Sequence, residues 1–289
     1  MSRRTRRMGV GTVVLAVVML GALALSTYRT VLRPAYAHDG ILVVLVVGSD
    51  VGRPYRPGDP LRGRADAIHL VAVDVGARRA TVVDIPRDSV IGGTKVNAHL
   101  ATGGPEALVA QLESFTGLTI DHWVLTTFHG FERLTAELGG VNVVVDEPMH
   151  DSSSGSDFEP GPAHVQGATA LAFARDRHSL SDGDFGRTRH QGELLLAIHR
   201  RVVGHRPGPR ELVDLVATVG RTTVSDVPLP DLLPLAVLAI DIEPDAVDHV
   251  PLSGRTAMLG DASVVYLEPG DTFARLVDGH VGPSPPASD

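Results

Sequence analysis

The segment from Ile41 to Val47, ILVVLVV, is apolar without a break, rich in β-branched residues, and ended by Gly48. It is too short to cross a bilayer and has no polar alternate face. That pattern predicts a strand buried on both sides, which places the chain in the α/β class, where helices cover both faces of a sheet. Polar residues just after such a strand lie at the carboxyl edge, where these sheets bind ligands. Ser49, Asp50 and Arg53 occupy that place here.

Two further strands follow at Ile68 to Asp74 and Ala80 to Ile85, joined in hairpin fashion through Gly76-Ala77-Arg78-Arg79. The second runs into Pro86-Arg87-Asp88; proline ends ladder pairing, so Arg87 and Asp88 are expected at a sheet edge. Lys95, the only lysine, follows a Gly92-Gly93 turn. Pro105 to Phe115 reads as a helix stopped by Gly117. Strands are expected at Asp121 to Thr127 and Val141 to Val145, separated by a helix that carries Phe131, Leu134 and Leu138, and 146–162 reads as a polar loop. Later come helices at Val165 to Ala174, Gly192 to Val203, Glu211 to Val219, Leu229 to Ile240 and Thr272 to Val277, with strands at Ala246 to Leu252 and Ser263 to Leu267. Together these elements predict an α/β fold: a single three-layer domain over 41–281, with a central mixed β-sheet flanked by helices. Residues 26–40 would form a linker and 282–289 a disordered tail.

Between two apolar segments lies RDRHSLSDGDFGRTRHQ, Arg175 to Gln191, with four arginines and three aspartates. Arginine presents a rigid fork of donors that matches phosphate and carboxylate, so this spacing suggests a site for a multiply charged anion, although a solvated, salt-bridged loop explains the same composition. The polar positions at strand and helix ends are Asp50, Arg53, Arg64, Asp66, Arg87, Asp88, Lys95, Arg175, Arg177, Asp184, Arg187, Arg189 and Gln191. Arginines with a pair of carboxylates suit a pyrophosphate and Mg²⁺, because that metal takes one or two carboxylates and completes its shell with phosphate oxygens and water. No HExxH, GxSxG or P-loop pattern occurs. The histidines at 38, 69, 99, 122, 129, 150 and 164 lack ligand spacing and read as structural or exposed.

Charge and the amino terminus bound the setting. The 26 basic residues are outnumbered by 34 acidic ones, and four of the former, Arg3, Arg4, Arg6 and Arg7, precede everything else. The remainder is therefore strongly acidic, which argues against nucleic acid as a partner. Met8 to Leu25 carries no charge and directly follows the basic cluster. This is the pattern of a transmembrane helix (8–25) behind a cytoplasmic tail (1–7), giving a single-pass protein of the cell membrane whose domain lies outside the cytoplasm. A cleaved signal peptide is the competing reading, since Ala35-Tyr36-Ala37 has the form of a cleavage site, but it lies well beyond the apolar run. With no cysteine, thiol catalysis and cysteine metal sites are excluded.

GSDVGR, RAD before a strand, IPRD, TKVNAH with GGPE, FARDR and GDFGRTRHQ occur in that order, and the set resembles the motifs of the LytR-CpsA-Psr family over roughly Ile41 to Val281. The resemblance implies a membrane-anchored phosphotransferase that moves a glycopolymer, as its glycosyl phosphate, from a polyprenyl-pyrophosphate carrier to a peptidoglycan hydroxyl with Mg²⁺ as cofactor. It implies that Asp50 and Asp66 hold the metal and that Arg64, Arg87, Arg175, Arg177, Arg187 and Gln191 surround the pyrophosphate, with Arg53 and Lys95 as further candidates. Asp50 or Asp88 would accept the hydroxyl proton, and the aliphatic helices after Gln191 would wall a lipid tunnel. Four positions depart from the family pattern: Gly52 separates the first motif from Arg53, Ala65 and Ala67 replace a serine and a threonine, and His190 stands where arginine is usual. A pyrophosphatase acting on lipid carriers and a non-catalytic polyprenyl-phosphate-binding regulator are the alternative readings.

Overall fold

The computed structural model describes residues 40–53, 55, 59 and 61–283, so the expected membrane helix and most of its linker lie outside the described residues, as does the tail from 284. No helix among the described residues is long and apolar enough to cross a membrane.

The apolar run beginning at Ile41 forms β1, Ile41–Ser49, and it is central as its composition requires. Its neighbours are β2 (Ala65–Asp74), antiparallel, and β6 (His122–Thr127), parallel. Outside these lie β3 (Arg79–Asp84) and β12 (Val247–Pro251) on one side and β11 (Thr223–Ser225) on the other, giving a six-stranded mixed sheet in the order β11-β6-β1-β2-β3-β12. The β2–β3 turn passes through Arg78 at φ 57°, an uncommon left-handed conformation for a residue with a side chain.

The alternation of β1 divides the two faces. Val43, Leu45 and Val47 pack with Ile68 and Leu70 against Leu100, Leu108, Leu112, Phe273 and Leu276. Those last five come from α1 (Asn97–Gly103), α2 (Pro105–Thr116) and α8 (Thr272–Val277). Leu45, Leu70, Leu100, Leu108 and Leu112 are completely buried, each worth about 1.5–3 kcal/mol in apolar area removed from water. Helix α2 has Pro105 in its first turn and ends at Gly117 in the left-handed conformation, φ 73°, so its predicted limits are met within one residue.

The opposite face is covered by α5 (Asp184–His205), α6 (Pro209–Thr222) and α7 (Leu232–Ile240). There Leu42, Val73 and Ala80 touch Leu238 and Ile242 at one end only; elsewhere the helices stand off the sheet. A lateral core is built by β7 (Val141–Val145), its partner β10 (Gly161–Val165), α4 (Ala168–Arg175) and the start of α5. β7 therefore does not join the central sheet. The segment expected as loop holds the hairpin β8–β9 (Met149–Asp151, Ser156–Phe158), and β14 (Ala262–Leu267) pairs with β13 (Gly254–Leu259). A short ladder of β4 (Val90–Ile91) with β5 (Thr94–Lys95), and the helix α1, were not foreseen. Helix α3, Phe128–Glu137, follows β6 without a loop, capped by the Thr127 hydroxyl that accepts from the Gly130 N–H at 3.1 Å.

Candidate active site

At the carboxyl end of β1 a cavity of about 480 Å³ opens between the sheet and α3, α4 and α5. A β-bulge shapes its floor. Gly48 pairs with Ala67 but Ser49 with Ala65, so Asp66 is the residue skipped in the ladder. Bulges re-aim side chains, and Asp66 lines the cavity together with Ala67. Its Oδ1 accepts from Arg87 Nη1 at 2.6 Å, Arg87 having been delivered to the same edge by the Ile85-Pro86 end of β3. Burial works against the Arg87 charge, but Asp66 outweighs it and the guanidinium pKa is raised.

The second wall is the stretch 175–191. Asp176, fully buried, accepts from Ser156 Oγ at 2.5 Å and from the Ser179 N–H at 3.2 Å, tying the end of α4 to the β8–β9 hairpin. The chain is extended at Asp176, so Arg175 and Arg177 flank it and both line the cavity. Arg175 also lies over the Phe128 ring, its guanidinium carbon 4.9 Å from the centroid. On α5, Arg187 and Gln191 are one turn apart on the cavity face. Gln191 Nε2 donates to the Ala174 carbonyl at 3.0 Å, one of the orphan carbonyls at the end of α4, and so joins the two elements that carry the arginines.

Arg187 is the electrostatic anomaly of the site. It is 4 % exposed; its Nη2 is ion-paired with Asp184 Oδ1, while its Nε, the second Asp184 oxygen and the Nε of Arg87 have no hydrogen-bond partner. Burial, with Arg87 and Arg177 nearby, lowers the Arg187 pKa although Asp184 and Asp66 oppose the change. Three guanidinium groups around one buried ion pair leave positive charge that a bound anion would offset. The arrangement suits an anion with several charges.

The remaining expected residues do not line the cavity. Asp50 flanks the bulge and its Oδ1 accepts from the Arg64 N–H at 2.8 Å. Arg53 pairs with Asp59 at 2.6 Å, and Lys95 with Asp88 at 3.0 Å. His190, at the position where the family usually has arginine, is fully buried and stacked on Phe173 at 4.6 Å. Arg189 turns to Asp182 at 2.6 Å. Neither of these two residues takes part in the cavity wall.

Sequence reasoning missed Asp151, His178 and His69, all of which line the cavity. Asp151 accepts from the Ser153 N–H at 2.9 Å and faces His178 Nδ1 at 3.1 Å; the Ser153 bond chiefly holds its pKa down to about 2. Their positions depend on the β8–β9 hairpin, which carries no hydrophobic periodicity to reveal it.

Beyond the arginines the cavity continues into a second space of about 650 Å³ between the sheet and α5, α6 and α7. Val46, Val124, Leu134, Leu195, Ile198, Val219 and Thr223 line both, so they form the neck. The inner chamber is almost wholly aliphatic, from Val44, Val71 and Val82 on the sheet to Leu215 and Leu235 above it. A polar mouth leading to a long apolar chamber is the shape required by an anionic head group on a hydrocarbon chain.

As for a metal, Asp66 lines the cavity with one oxygen not used by Arg87, whereas Asp50 does not line it and its Oδ1 accepts from the Arg64 N–H. Among the described residues no group of three or more histidines and carboxylates is arranged to hold one unaided.

The chain is similar to known proteins in sequence and in fold. The chain is 29% identical over 225 residues to the polyisoprenyl-teichoic acid–peptidoglycan teichoic acid transferase TagV of Bacillus subtilis (strain 168), covering 73% of this chain and 57% of that protein. It is 28% identical over 236 residues to the cell wall biosynthesis protein LcpA of Corynebacterium glutamicum, covering 66% and 46%. The chain thus spans about half the length of the curated relatives it matches. The crystal structure of B. subtilis TagV superposes with a TM-score of 0.70 at 24% identity, over 86% of this chain and 100% of that one, which shows a shared fold. The LytR_cpsA_psr family profile matches residues 24–276, nearly the whole chain, and the protein therefore belongs to the LytR-CpsA-Psr family.

Proposed function

We propose that the protein is a phosphotransferase, anchored by its amino-terminal apolar segment with the domain outside the cell membrane. It would transfer a glycopolymer, as its glycosyl phosphate, from a polyprenyl-pyrophosphate carrier to a peptidoglycan hydroxyl. The observation that carries this reading is the cluster of Arg87, Arg175, Arg177 and the buried Arg187, whose Nε lacks a hydrogen-bond partner, at the mouth of an aliphatic chamber. The name of TagV, a transferase from a polyisoprenyl carrier to peptidoglycan, supports it.

In this reading the arginines grip the pyrophosphate and the inner chamber takes the lipid. Transfer at phosphorus builds charge on the non-bridging and leaving oxygens, and guanidinium groups fixed in a water-poor site lower that barrier without reorganising. Gln191 holds the two arginine-bearing elements together, and Asp66 orients Arg87. Mg²⁺ held by Asp50 and Asp66 would supply further neutralisation of phosphate charge. The acceptor enters from the open mouth.

The test uses the full chain in detergent, a short polyprenyl-pyrophosphate-linked oligosaccharide, Mg²⁺ and peptidoglycan fragments, with product identification. Glycan joined to peptidoglycan through phosphate is expected. Glycosyl phosphate released to water irrespective of acceptor would instead make the protein a pyrophosphatase, and lipid binding without turnover a non-catalytic regulator.

A further inference from the structure

A second polar constellation lies beneath the arginines. His69 on β2 and Asp84 on β3 are direct cross-strand partners, with His69 Nδ1 2.7 Å from Asp84 Oδ1. From the next strand, β12, His249 Nε2 lies 2.6 Å from Asp84 Oδ2. Asp84 is completely buried and His69 is 4 % exposed. A carboxylate and two imidazoles in the interior of a sheet are costly unless every group is used. Burial works against the His249 charge, but the hydrogen bond and charge of Asp84 prevail and its pKa is raised. His69 Nε2 has no hydrogen-bond partner among the described residues, and His69 lines the cavity.

The sheet register locates this imidazole relative to the two spaces. His69 pairs with Val46, and Val46 pairs with Val124, so these three residues form one row across β2, β1 and β6. Val46 and Val124 belong to the neck. One step of two residues toward the mouth, the row is Ala67, Gly48 and Thr126, lining the arginine-bearing cavity. One step inward it is Val71 and Val44, lining the apolar chamber. His69 therefore stands at the boundary where a lipid chain would join its phosphate.

We infer that His69 hydrogen-bonds, through Nε2, the phosphate that leaves with the lipid, while Asp84, shared with His249, orients the ring through Nδ1. The inference rests on the transferase reading. In-line displacement puts nucleophile and leaving group on opposite sides of the phosphorus. With the acceptor entering from the mouth, the leaving oxygen faces the neck. The acceptor oxygen bonds to the phosphorus that bears the glycan, the bond from that phosphorus to the bridging oxygen breaks, and the bridging oxygen departs with its electron pair as polyprenyl phosphate. The hydroxyl proton passes to water at the open mouth. His69 Nε2–H meets the charge that appears on the departing oxygen.

The test compares the oxygen-bridged substrate with an analogue in which sulfur replaces the bridging oxygen, since a thiolate leaves readily and accepts hydrogen bonds weakly. His69→Ala should lower kcat on the oxygen substrate by about 10²-fold, and Asp84→Asn by a smaller factor in the same direction. On the sulfur analogue the His69→Ala loss should shrink to about threefold or less, which also shows that the variant is folded. Equal losses on both substrates, or none on either, would overturn the inference. Arg87→Ala separates the two readings: it should be inactive on both substrates, and an Arg87→Ala enzyme as active as the parent would refute the site assignment itself.

Discussion

Gly192 of α5 lies directly against the Asp84 carboxylate, so closely that a methyl group at residue 192 would overlap both Asp84 oxygens and His249 Nε2. The helix carrying Arg187 and Gln191 thus rests on the histidine–aspartate network of the sheet at a position where it has no side chain. Backbone freedom is not the reason for this glycine; space is. Gly192→Ala should destabilise the fold by about 1–3 kcal/mol, as overpacking of a filled interior does, measured by urea unfolding.

Arg187 should serve both binding and stability. Arg187→Leu leaves the buried Asp184 oxygens without their cation, so the free protein should melt lower, by the equivalent of about 3–5 kcal/mol. The same variant should lose about 2–5 kcal/mol of affinity for a soluble polyprenyl-pyrophosphate analogue in calorimetric titration. A folded variant that binds as tightly as the parent would contradict the anion-site assignment.

His190 gives the protein an acid-sensitive element. Its ring is buried without a hydrogen-bond partner, and burial, followed by Arg189, lowers its pKa. The unfolded chain then takes up a proton that the folded one refuses, so this residue removes stability as pH falls below the ordinary histidine value of about 6.5. His249 acts in the opposite sense: with its pKa raised, its contribution is present below about 6.5 and is lost as pH rises through the folded-state value. Unfolding measured at several pH values should show that His190→Phe flattens the acid side, whereas His249→Gln flattens the neutral side.

The neck should discriminate lipid from head group. Ile198→Trp places a large ring where the two cavities join. It should weaken binding of a long-chain polyprenyl pyrophosphate by at least about tenfold while leaving inorganic pyrophosphate unaffected, since burial of each CH₂ contributes about 0.8 kcal/mol. Equal effects on both ligands would place the lipid elsewhere.

Much of the sheet was legible because its strands are continuous apolar runs with turn residues at their ends, as in Ile41–Ser49 and Ala65–Asp74. The lateral hairpins were not, since three-residue strands such as Met149–Asp151 are too short to show a period. The four arginines of 175–191 divide in a way the linear sequence conceals: Arg175, Arg177 and Arg187 line the cavity while Arg189 turns to Asp182. Helical phase decides the last case, because residues 187 and 191 share a face that 189 does not. His190, which read as a departure within the site, is a core residue stacked on Phe173.

By itself the sequence determined the layered α/β class, the order of the strands' residues along the chain, and the chemistry on offer: arginines and carboxylates at element ends, aliphatic helices behind them. These follow from hydrophobic period and residue type, which are local properties. Only the tertiary structure decided which of those groups meet. The bulge that turns Asp66 to Arg87, the neck at Val46 and Val124, and the joining of His69, Asp84 and His249 from three strands depend on register and on the gap between helices and sheet. Those are set by packing between residues far apart in the chain, and no local pattern encodes them.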